Sequence, residues 1–422
     1  MKEEFIYYLW ENRLLSKDLM TVDGESVDVI SVGNRNYDSG PDFLDARIRI
    51  GNTLWVGHVE IHVNASDWFR HGHQHDCAYK NVVLHVVYCN DTERLDIPTV
   101  EVKGKFDEDI YERYSGFMRS RRWIPCEKSI AGIQQFTWLS WLERVVVERL
   151  EVEVKDVFSS LAMNRYDWEE TLYQRVMRYC GLKVNNDAFE RLAKILPLRV
   201  LRKHIDNAIQ VEAMIFGCAG FFEQEFTEAY PVLLQREFKI LKSKFNLAVM
   251  PRSCWKFMRL RPPNFPTVRL AQIASMVCIC DNLLSKLLSV DNLDSMRNLF
   301  NVEVNEYWDT HFLFEKPSKE RKKSFGATAT DVLIINAVIP MLFSYGIYHD
   351  NQELKNRSLS FLNDMAPEDN VIIRRFGKLG IGACNAQQTQ ALLHMYNNYC
   401  RRRKCLSCRV FNAIKTVDRT AY

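Results

Sequence analysis

The first quarter of the chain alternates between apolar and polar positions with the two-residue period that is typical of β-strands. Residues 82–88 break this alternation with a continuous apolar run, which predicts a strand covered on both faces. Gly51 and Asn52 separate two of the alternating segments and predict a tight turn between neighbouring strands. The predicted elements are a helix over 5–14 and strands over 27–32, 44–50, 54–63, 82–88 and 99–102.

From residue 136 the pattern changes to apolar positions three and four residues apart, which is the spacing of amphipathic helices. Helices are predicted over 136–158, 168–179, 187–196, 199–216 and 230–245, with almost no strand signals beyond them. The pattern therefore predicts an α/β domain with a mixed sheet, then an all-α domain and a cysteine-containing tail. The predicted boundaries are 1–105 for the α/β domain, 106–135 for a linker, 136–380 for the helical domain and 381–422 for the tail.

Composition excludes little by itself. The 422 residues are 47% hydrophobic, which is enough for a large core, and the net charge of +3 favours no class of partner. The N-terminus is too acidic, and its apolar run too short, for a secretory signal. The apolar window at 332–348 falls short of the ~20 residues of a membrane span and contains Asn336 and Pro340, so it predicts a buried helix. We therefore expect a cytoplasmic protein without a membrane partner.

Two short motifs on the predicted strands carry acidic residues that suit metal-dependent hydrolysis. Asp42, in Gly-Pro-Asp-Phe, begins one strand, and Glu60, in Glu-Ile-His, lies on the next. Because strand side chains alternate, His58, Glu60 and His62 share one face, with ~7 Å between neighbours. Ionisable groups on a central strand are costly unless water, a metal or partners satisfy them. Asp42 and Glu60 are therefore predicted to bind Mg²⁺ or Mn²⁺, which would activate a water for attack on a phosphodiester.

With the order helix, three strands, short helix and strand, these motifs resemble the PD-(D/E)xK nuclease core, with His62 where that family usually has Lys. The resemblance implies a restriction-endonuclease-like fold and a nuclease that acts on DNA or RNA. His62 is then expected to orient the attacking water or to act as general base, and Lys80 to supply positive charge from the following helix. Glu4 or Glu11 on the first helix is the candidate for a further acid.

The turn between the two strands decides whether both acids face the same side of the sheet. A two-residue turn at Gly51 and Asn52 places Asp42 opposite Ile61, on the wrong face. A three-residue loop, or a bulge, pairs Asp42 with His62 and puts both acids on one face. The nuclease hypothesis needs the second register.

Six of the ten histidines lie within residues 58–85, and three of them, His71, His73 and His75, alternate in a polar segment. Histidines at such spacing can share a zinc or manganese ion. We expect His71 and His75 instead to lie on a polar loop without a metal, and His73 and Asp76 to lie at the rim of the site.

Blocks spread over nearly the whole chain resemble the DUF2851 proteins, a bacterial family typical of the Bacteroidetes. The blocks are GPDF, VEIHV, SDW, AYKNVVLHVV, IFGCAGFF, RLRPPNFPTVRLAQ, PMLFSYG and YCRRRKCLSCRV. This resemblance implies no established activity, so the nuclease hypothesis depends on the site residues themselves.

The tail contains Cys400, Cys405 and Cys408, a spacing that lets thiolates bind one metal. Twelve cysteines without an export signal are expected to be thiols or metal ligands. A structural zinc needs a fourth ligand, for which Cys384 is the first candidate and His394 the alternative. An iron–sulfur cluster would also fit such ligands.

Basic residues inside this tail and around a proline-rich loop are candidates for phosphate contacts. Runs of charge are more often a solvated surface, so they support nucleic-acid binding only weakly. The candidates are Arg259 and Arg261 in the loop and Arg401, Arg402 and Arg403 in the tail.

Three functions compete at this point. The leading hypothesis is a metal-dependent nuclease with Asp42, Glu60 and His62 as its catalytic set. The second is a catalytically degenerate nuclease fold that binds nucleic acid, and the third is a metal hydrolase that acts on a small substrate. Convergence of the three catalytic candidates favours the first and scattering favours the second, whereas histidines or acids that converge away from Asp42 favour the third.

Overall fold

The protein is described by a computed structural model that covers residues 1–417 except positions 94 and 280. It divides into two compact units, one of Met1–Trp141 with the described part of the segment from Met395, the other of Leu142–His394. This division differs from the predicted boundaries, because the C-terminal segment packs with the first unit instead of forming a separate tail.

Within the described residues, seven strands form the sheet of the first unit: β1 (Leu19–Met20), β2 (Ser26–Ser31), β3 (Asn34–Arg35), β4 (Phe43–Ile50), β5 (Thr53–Asn64), β6 (Val82–Cys89) and β7 (Thr99–Glu101). The order across the sheet is β1–β2–β4–β5–β6–β7, and β3 pairs with β4. The pairs from β1 to β5 are antiparallel, whereas β5, β6 and β7 run parallel. The predicted N-terminal mixed sheet is confirmed. The helices of this part are α1 (Glu3–Glu11), α2 (Asp67–Arg70) and α3 (Glu108–Arg119), with 3₁₀ turns at His73–His75, Cys77–Tyr79 and Ile130–Gly132.

The burial of β4 and β6 explains why these segments form strands. In β4, buried Ala46 and Ile48 alternate with exposed Arg47 and Arg49, so one face packs and the other meets solvent. By contrast, β6 is buried at every position over 82–87, as its continuous apolar run predicts.

Helix α1 packs between two apolar cores of the first unit. Ile6 and Trp10 belong to the core of the sheet. Phe5 and Tyr8 lie in a second core, which Cys405 of the C-terminal segment shares. The position of α1 on the sheet therefore depends on both ends of the chain.

The second unit is helical, as predicted. Its helices are α4 (Gln135–Met163, which begins in the first unit), α5 (Trp168–Cys180), α6 (Asn186–Ile195), α7 (Leu198–Leu201), α8 (Ala208–Cys218), α9 (Ala229–Phe245), α10 (Pro266–Ile279), α11 (Leu283–Ser289), α12 (Leu293–Asn298), α13 (Ala327–Leu333), α14 (Ile339–Tyr348), α15 (Gln352–Asp364), α16 (Val371–Lys378) and α17 (Ala386–Met395). Shorter elements are 3₁₀ turns at Arg202–His204, Arg252–Cys254, Pro262–Asn264 and Glu306–Asp309, a π-helical turn at Ile334–Val338, and strands β8 (His311–Leu313) and β9 (Lys316–Pro317). The chain then passes through a π-helical turn at Tyr396–Cys400 to α18 (Arg409–Val417) in the first unit.

The single helix predicted over 199–216 is instead two helices, α7 and α8. Asn207 begins the second one, because its side chain accepts a hydrogen bond from the Gln210 N–H. Such N-capping competes with a continuous helix.

In the described residues, one continuous helical stretch, Ala327–Tyr348, is by itself long and apolar enough to cross a membrane. However, 67% of its most apolar window is buried inside the second unit, as in a core helix of a soluble protein. The π-helical turn within it presents the carbonyl groups of Ile335 and Asn336 to the buried guanidinium groups of Arg149 and Arg175, respectively. The predicted buried helix is confirmed.

Candidate active site

The hairpin of β4 and β5 begins in the first of the two registers considered from the sequence and ends in a register that was not considered. Its turn has two residues. A bulge between Phe43 and Ala46 then shifts the pairing by one residue, so that Phe43 pairs with Val59. Asp45 lies within the bulge, and its backbone accommodates the extra residue by adopting a positive φ of 57°. Asp42, which precedes Phe43, consequently lies on the same side of the sheet as Glu60, which follows Val59.

The bulge brings Asp42 beside Glu60, whereas a bulge was predicted to bring it beside His62. The Asp42 N–H donates a hydrogen bond to Glu60 Oε2 at 3.1 Å. The Ile61 N–H donates to Asp42 Oδ2 at 3.0 Å. Backbone N–H groups therefore hold both carboxyl groups in place, and the two acids share one face.

Three histidines lie close together beside the Glu60 carboxyl group. Two of them approach its other oxygen, Oε1, and the third approaches His62. Glu60 Oε1 lies 3.6 Å from His62 Nε2 and 3.4 Å from His73 Nε2. His71 Nδ1 lies 3.1 Å from His62 Nε2. One nitrogen from each histidine lies within 4.8 Å of the other two. Three imidazole nitrogens thus surround one small volume, and Glu60 Oε1 lies beside two of these histidines.

Burial controls the protonation of this site. Desolvation raises the pKa of Glu60 to about 9, with repulsion from the Asp42 carboxylate as the next cause. Desolvation likewise raises the pKa of Asp42 to about 6, although hydrogen bonds from the Ile61 N–H and the Tyr7 hydroxyl oppose the shift. Desolvation lowers the pKa of His62 to about 3. Glu60 and His62 are therefore neutral at pH 7 without a cation, and a divalent ion would favour the ionised carboxylate.

His85, on β6, supports the ring of His62 from the interior of the sheet. It is fully buried, and its Nε2 lies 2.8 Å from His62 Nδ1. Desolvation lowers the pKa of His85 to about 3, so both rings are neutral. When His62 Nδ1–H donates to His85, the lone pair of His62 Nε2 faces Glu60 and His71. That tautomer is the one that a metal ligand needs, with the second ring orienting the first.

The distances within the cluster fit a single ion. Ligands about 2.1 Å from one ion lie about 3.0 Å apart in octahedral and about 3.4 Å apart in tetrahedral geometry. The three separations of 3.1, 3.4 and 3.6 Å fall at or near these values. His71 is exposed, so the cluster is open to solvent on that side. His62, His71 and His73 are accordingly the residues whose ligand atoms lie close enough together to hold one metal, with Glu60 beside two of them.

The short helical segment after β5 positions the remaining predicted residues differently. Lys80 is exposed, and the neighbouring ring of Tyr79 instead stacks on His73 with centroids 3.8 Å apart. His75 is exposed as well. The Asp76 carboxyl group accepts a hydrogen bond from the Ala78 N–H and so begins the 3₁₀ turn.

The acid that α1 directs toward the site is Glu3. Desolvation raises its pKa, and the next cause is attraction to His71, which shows that the two groups are close. The candidates named from the sequence lie elsewhere: Glu4 is exposed, and Glu11 lies 3.5 Å from Arg35. The helix adds Tyr7, whose hydroxyl group bonds to Asp42.

Sequence patterns only partly indicated the histidines of this site. His71 was expected on a loop without a metal, yet α2 turns the chain back so that His71 contacts His62. The two-residue spacing of His71 and His73 was the available signal. His85 stands alone in an apolar strand, and nothing in the sequence separates such a residue from an ordinary core histidine.

The tail cysteines meet Cys126 instead of the predicted Cys384. Cys126, Cys400, Cys405 and Cys408 line one cavity of the first unit. Cys384 is exposed in the second unit, and it does not line this cavity. His394, the alternative ligand, also belongs to the second unit.

One of the five arginines predicted to contact nucleic acid has a structural role. The Arg403 guanidinium group donates to the carbonyl groups of Met118 and Ser120 at the end of α3. The other four are exposed: Arg259, Arg261, Arg401 and Arg402.

The protein is thus of the class that joins a mixed-sheet domain to a helical domain. The acid–histidine cluster lies at the central strands of the sheet. The chain belongs to the DUF2851 family, described as "Protein of unknown function (DUF2851)", whose model matches residues 3–371. The family membership predicted from the sequence is thus confirmed, and the match ends before the cysteine-containing tail. No curated protein and no solved structure matched the chain.

Proposed function

We propose that the protein is a metal-dependent hydrolase that cleaves phosphodiester bonds of DNA or RNA. The observation that carries this proposal is the meeting of Asp42, just before β4, with Glu60 and His62 of β5, while His73 lies beside Glu60 Oε1 and His71 beside His62 Nε2. Convergence of the first three residues is the geometry that the nuclease hypothesis requires.

The proposed ion is a first-row divalent metal such as Mn²⁺ in preference to Mg²⁺. Its proposed ligands are Glu60, His62, His71 and His73. Mg²⁺ prefers an all-oxygen set, whereas a carboxylate with imidazoles suits first-row metals. An ion held by these residues would have to keep coordination positions open for a water and a phosphate oxygen. The ion would polarise the phosphate and lower the pKa of the bound water.

Asp42 is proposed as the general base. Its carboxyl group lies next to the ligand Glu60, and its pKa of about 6 is close to the pH at which a base works best. His62 is assigned to the metal instead of the role of the usual Lys, because a ring with a pKa of about 3 supplies no positive charge. The Tyr7 hydroxyl group holds the Asp42 carboxyl group in place.

Two features support a phosphodiester as the substrate. The order of helix, antiparallel strands, short helices and parallel strand agrees with the order expected from the resemblance of the motifs to the PD-(D/E)xK core. Two guanidinium groups that pair with acids also influence the site: Arg35, 3.5 Å from Glu11, affects the pKa of Asp42, and Arg70, 2.8 Å from Asp67, affects that of His62. Arginines in such positions can bind phosphate oxygens.

The test is cleavage of labelled single- and double-stranded DNA and RNA by the purified full-length protein with Mn²⁺, Zn²⁺ or Mg²⁺. We expect cleavage with Mn²⁺ that Glu60→Gln removes, together with loss of Mn²⁺ binding in calorimetry. His75→Ala is the matched control, because it changes an exposed histidine of the same segment and should leave both measurements unchanged.

Nucleic-acid binding without cleavage under any metal would contradict the enzymatic proposal and favour the degenerate, binding-only protein. Full activity of Glu60→Gln would remove this site from the reaction.

A second candidate function is hydrolysis of a small substrate. The observation that favours it is the depth of the site, since Glu60 and His62 are only 5% and 2% exposed. Turnover of bis(4-nitrophenyl) phosphate with Mn²⁺, but of no polynucleotide, would select this alternative.

A further inference from the structure

Four cysteine sulfurs from distant parts of the sequence line one cavity in the first unit. Cys126 lies in the loop after α3, and Cys400 ends the π-helical turn. Cys405 and Cys408 lie in the turn before α18. The cavity has a volume of about 20 Å³, and most of its other lining side chains are apolar. The cavity is large enough for a water molecule. However, it offers a water few hydrogen-bond partners, so water alone is a poor occupant.

The spacing of these sulfurs is too wide for one zinc ion. Zinc–sulfur bonds of about 2.3 Å place neighbouring sulfurs of a tetrahedral site about 3.8 Å apart. Among the residues that the structure describes, the one group of three or more candidate ligands within 4.8 Å of one another is that of His62, His71 and His73. No three of the cysteine sulfurs therefore approach as a closed zinc site requires.

We propose that Cys126, Cys400, Cys405 and Cys408 hold an iron–sulfur cluster in this cavity. Four thiolates are the ligand set of both two-iron and four-iron clusters. The bridging sulfides and irons of such a cluster occupy the space between the cysteine sulfurs, which a single ion leaves empty. Four cysteines that line one cavity, without the close approach of a single-ion site, are the observations that favour such a cluster.

The cluster would join the two ends of the first unit. Cys126 follows α3, whose last carbonyl groups bind Arg403 of the C-terminal segment. Cys405 shares an apolar core with Phe5 and Tyr8 of α1. Because Tyr7 of the same helix contacts Asp42, the cluster would help to position α1 beside the proposed active site. We assign it a structural role on that basis.

The test is metal and sulfide analysis of the full-length protein, purified without oxygen. We expect iron and acid-labile sulfide in equal amounts, with the broad visible absorbance of an iron–sulfur protein. Cys126→Ser should lose the iron and the absorbance. Cys384→Ser, which changes an exposed cysteine of the second unit, is the matched control and should keep both.

One zinc per chain without sulfide, or no bound metal after oxygen-free purification, would overturn the proposal. Iron retained by Cys126→Ser would overturn the assignment of the fourth ligand. The wild-type analysis decides between iron–sulfur and zinc even where the variant is insoluble. Nuclease activity plays no part in these measurements, so the cluster and the proposed function can fail independently.

Discussion

The two candidate metal sites of the first unit are built in opposite ways. The acid–histidine site draws its residues from positions 42–85, where strand β5 and the short helical segment that follows it place the atoms of the cluster 3.1–3.6 Å apart. The cysteine site joins residue 126 to residues 400–408 through loops and turns, and a cavity separates its sulfurs. A strand and the short segment that follows it can prearrange a site for one ion, whereas we expect segments so far apart in the sequence to need a cofactor that holds them together. The first site should therefore survive metal removal, and the second should not.

The largest expected effect is loss of stability in Cys405→Ser. A cluster that links chain segments so far apart acts as a cross-link, and its loss should lower the free energy of unfolding by on the order of 5 kcal/mol in the loop-closure model. Chemical denaturation of wild type and variant measures the difference. An unchanged midpoint together with unchanged metal content would show that the cysteines are not joined by a cofactor.

The comparison also shows what sequence patterns can predict. Strands β2, β4, β5, β6 and β7 follow from alternation and from one apolar run, because burial on one face or both leaves a direct signature in the sequence. The two-residue strands β1 and β3 were not predicted. The bulge between Phe43 and Ala46 leaves none: both turn lengths were compatible with the Gly51 and Asn52 pair. The placement of Asp42 beside Glu60 therefore needed coordinates.

Long-range partners are the second limit. Cys400, Cys405 and Cys408 were recognisable by their spacing, but their fourth partner is not near them in the sequence. Cys126 stands alone, whereas Cys384 is closer in sequence and so was the natural choice. Only the packing of the C-terminal segment against α1 and α3 brings Cys126 to the others.

The second prediction separates the base from the metal ligands. Asp42→Asn keeps an oxygen that can accept from the Ile61 N–H but removes the basic carboxylate. We expect cleavage to fall by about 10³-fold, or about 4 kcal/mol, while Mn²⁺ binding is retained. Single-turnover rates and calorimetry on the same preparation test this. Loss of Mn²⁺ binding would instead make Asp42 a ligand, as predicted from the sequence.

A smaller effect is expected from His85→Phe. The substitution keeps a ring in the interior of the sheet but removes the acceptor for His62 Nδ1–H. Loss of such an orienting partner typically weakens metal binding by about 10–100-fold. Calorimetric titration with Mn²⁺ measures the change, and His75→Phe, on the exposed segment, provides the control. An unchanged affinity would show that packing alone orients His62.

The smallest effect is a pH dependence that only the metal-free protein should show. The pKa of Glu60 is raised to about 9, so its contribution to stability is complete below its ordinary pKa and is lost as pH rises toward 9. His62, with its pKa lowered to about 3, has the opposite dependence, which is confined to acid below its ordinary pKa of 6.5. Between pH 7 and pH 9 the free energy of unfolding of the chelated wild type should therefore fall by up to about 1.4 kcal/mol per pH unit more than that of Glu60→Gln.

Added Mn²⁺ should remove this difference in slope, because an ion replaces the proton on Glu60. Parallel unfolding curves for the chelated wild type and variant across this range would mean that water already hydrates Glu60, in which case the sheet does not prearrange a desolvated carboxyl group for the ion.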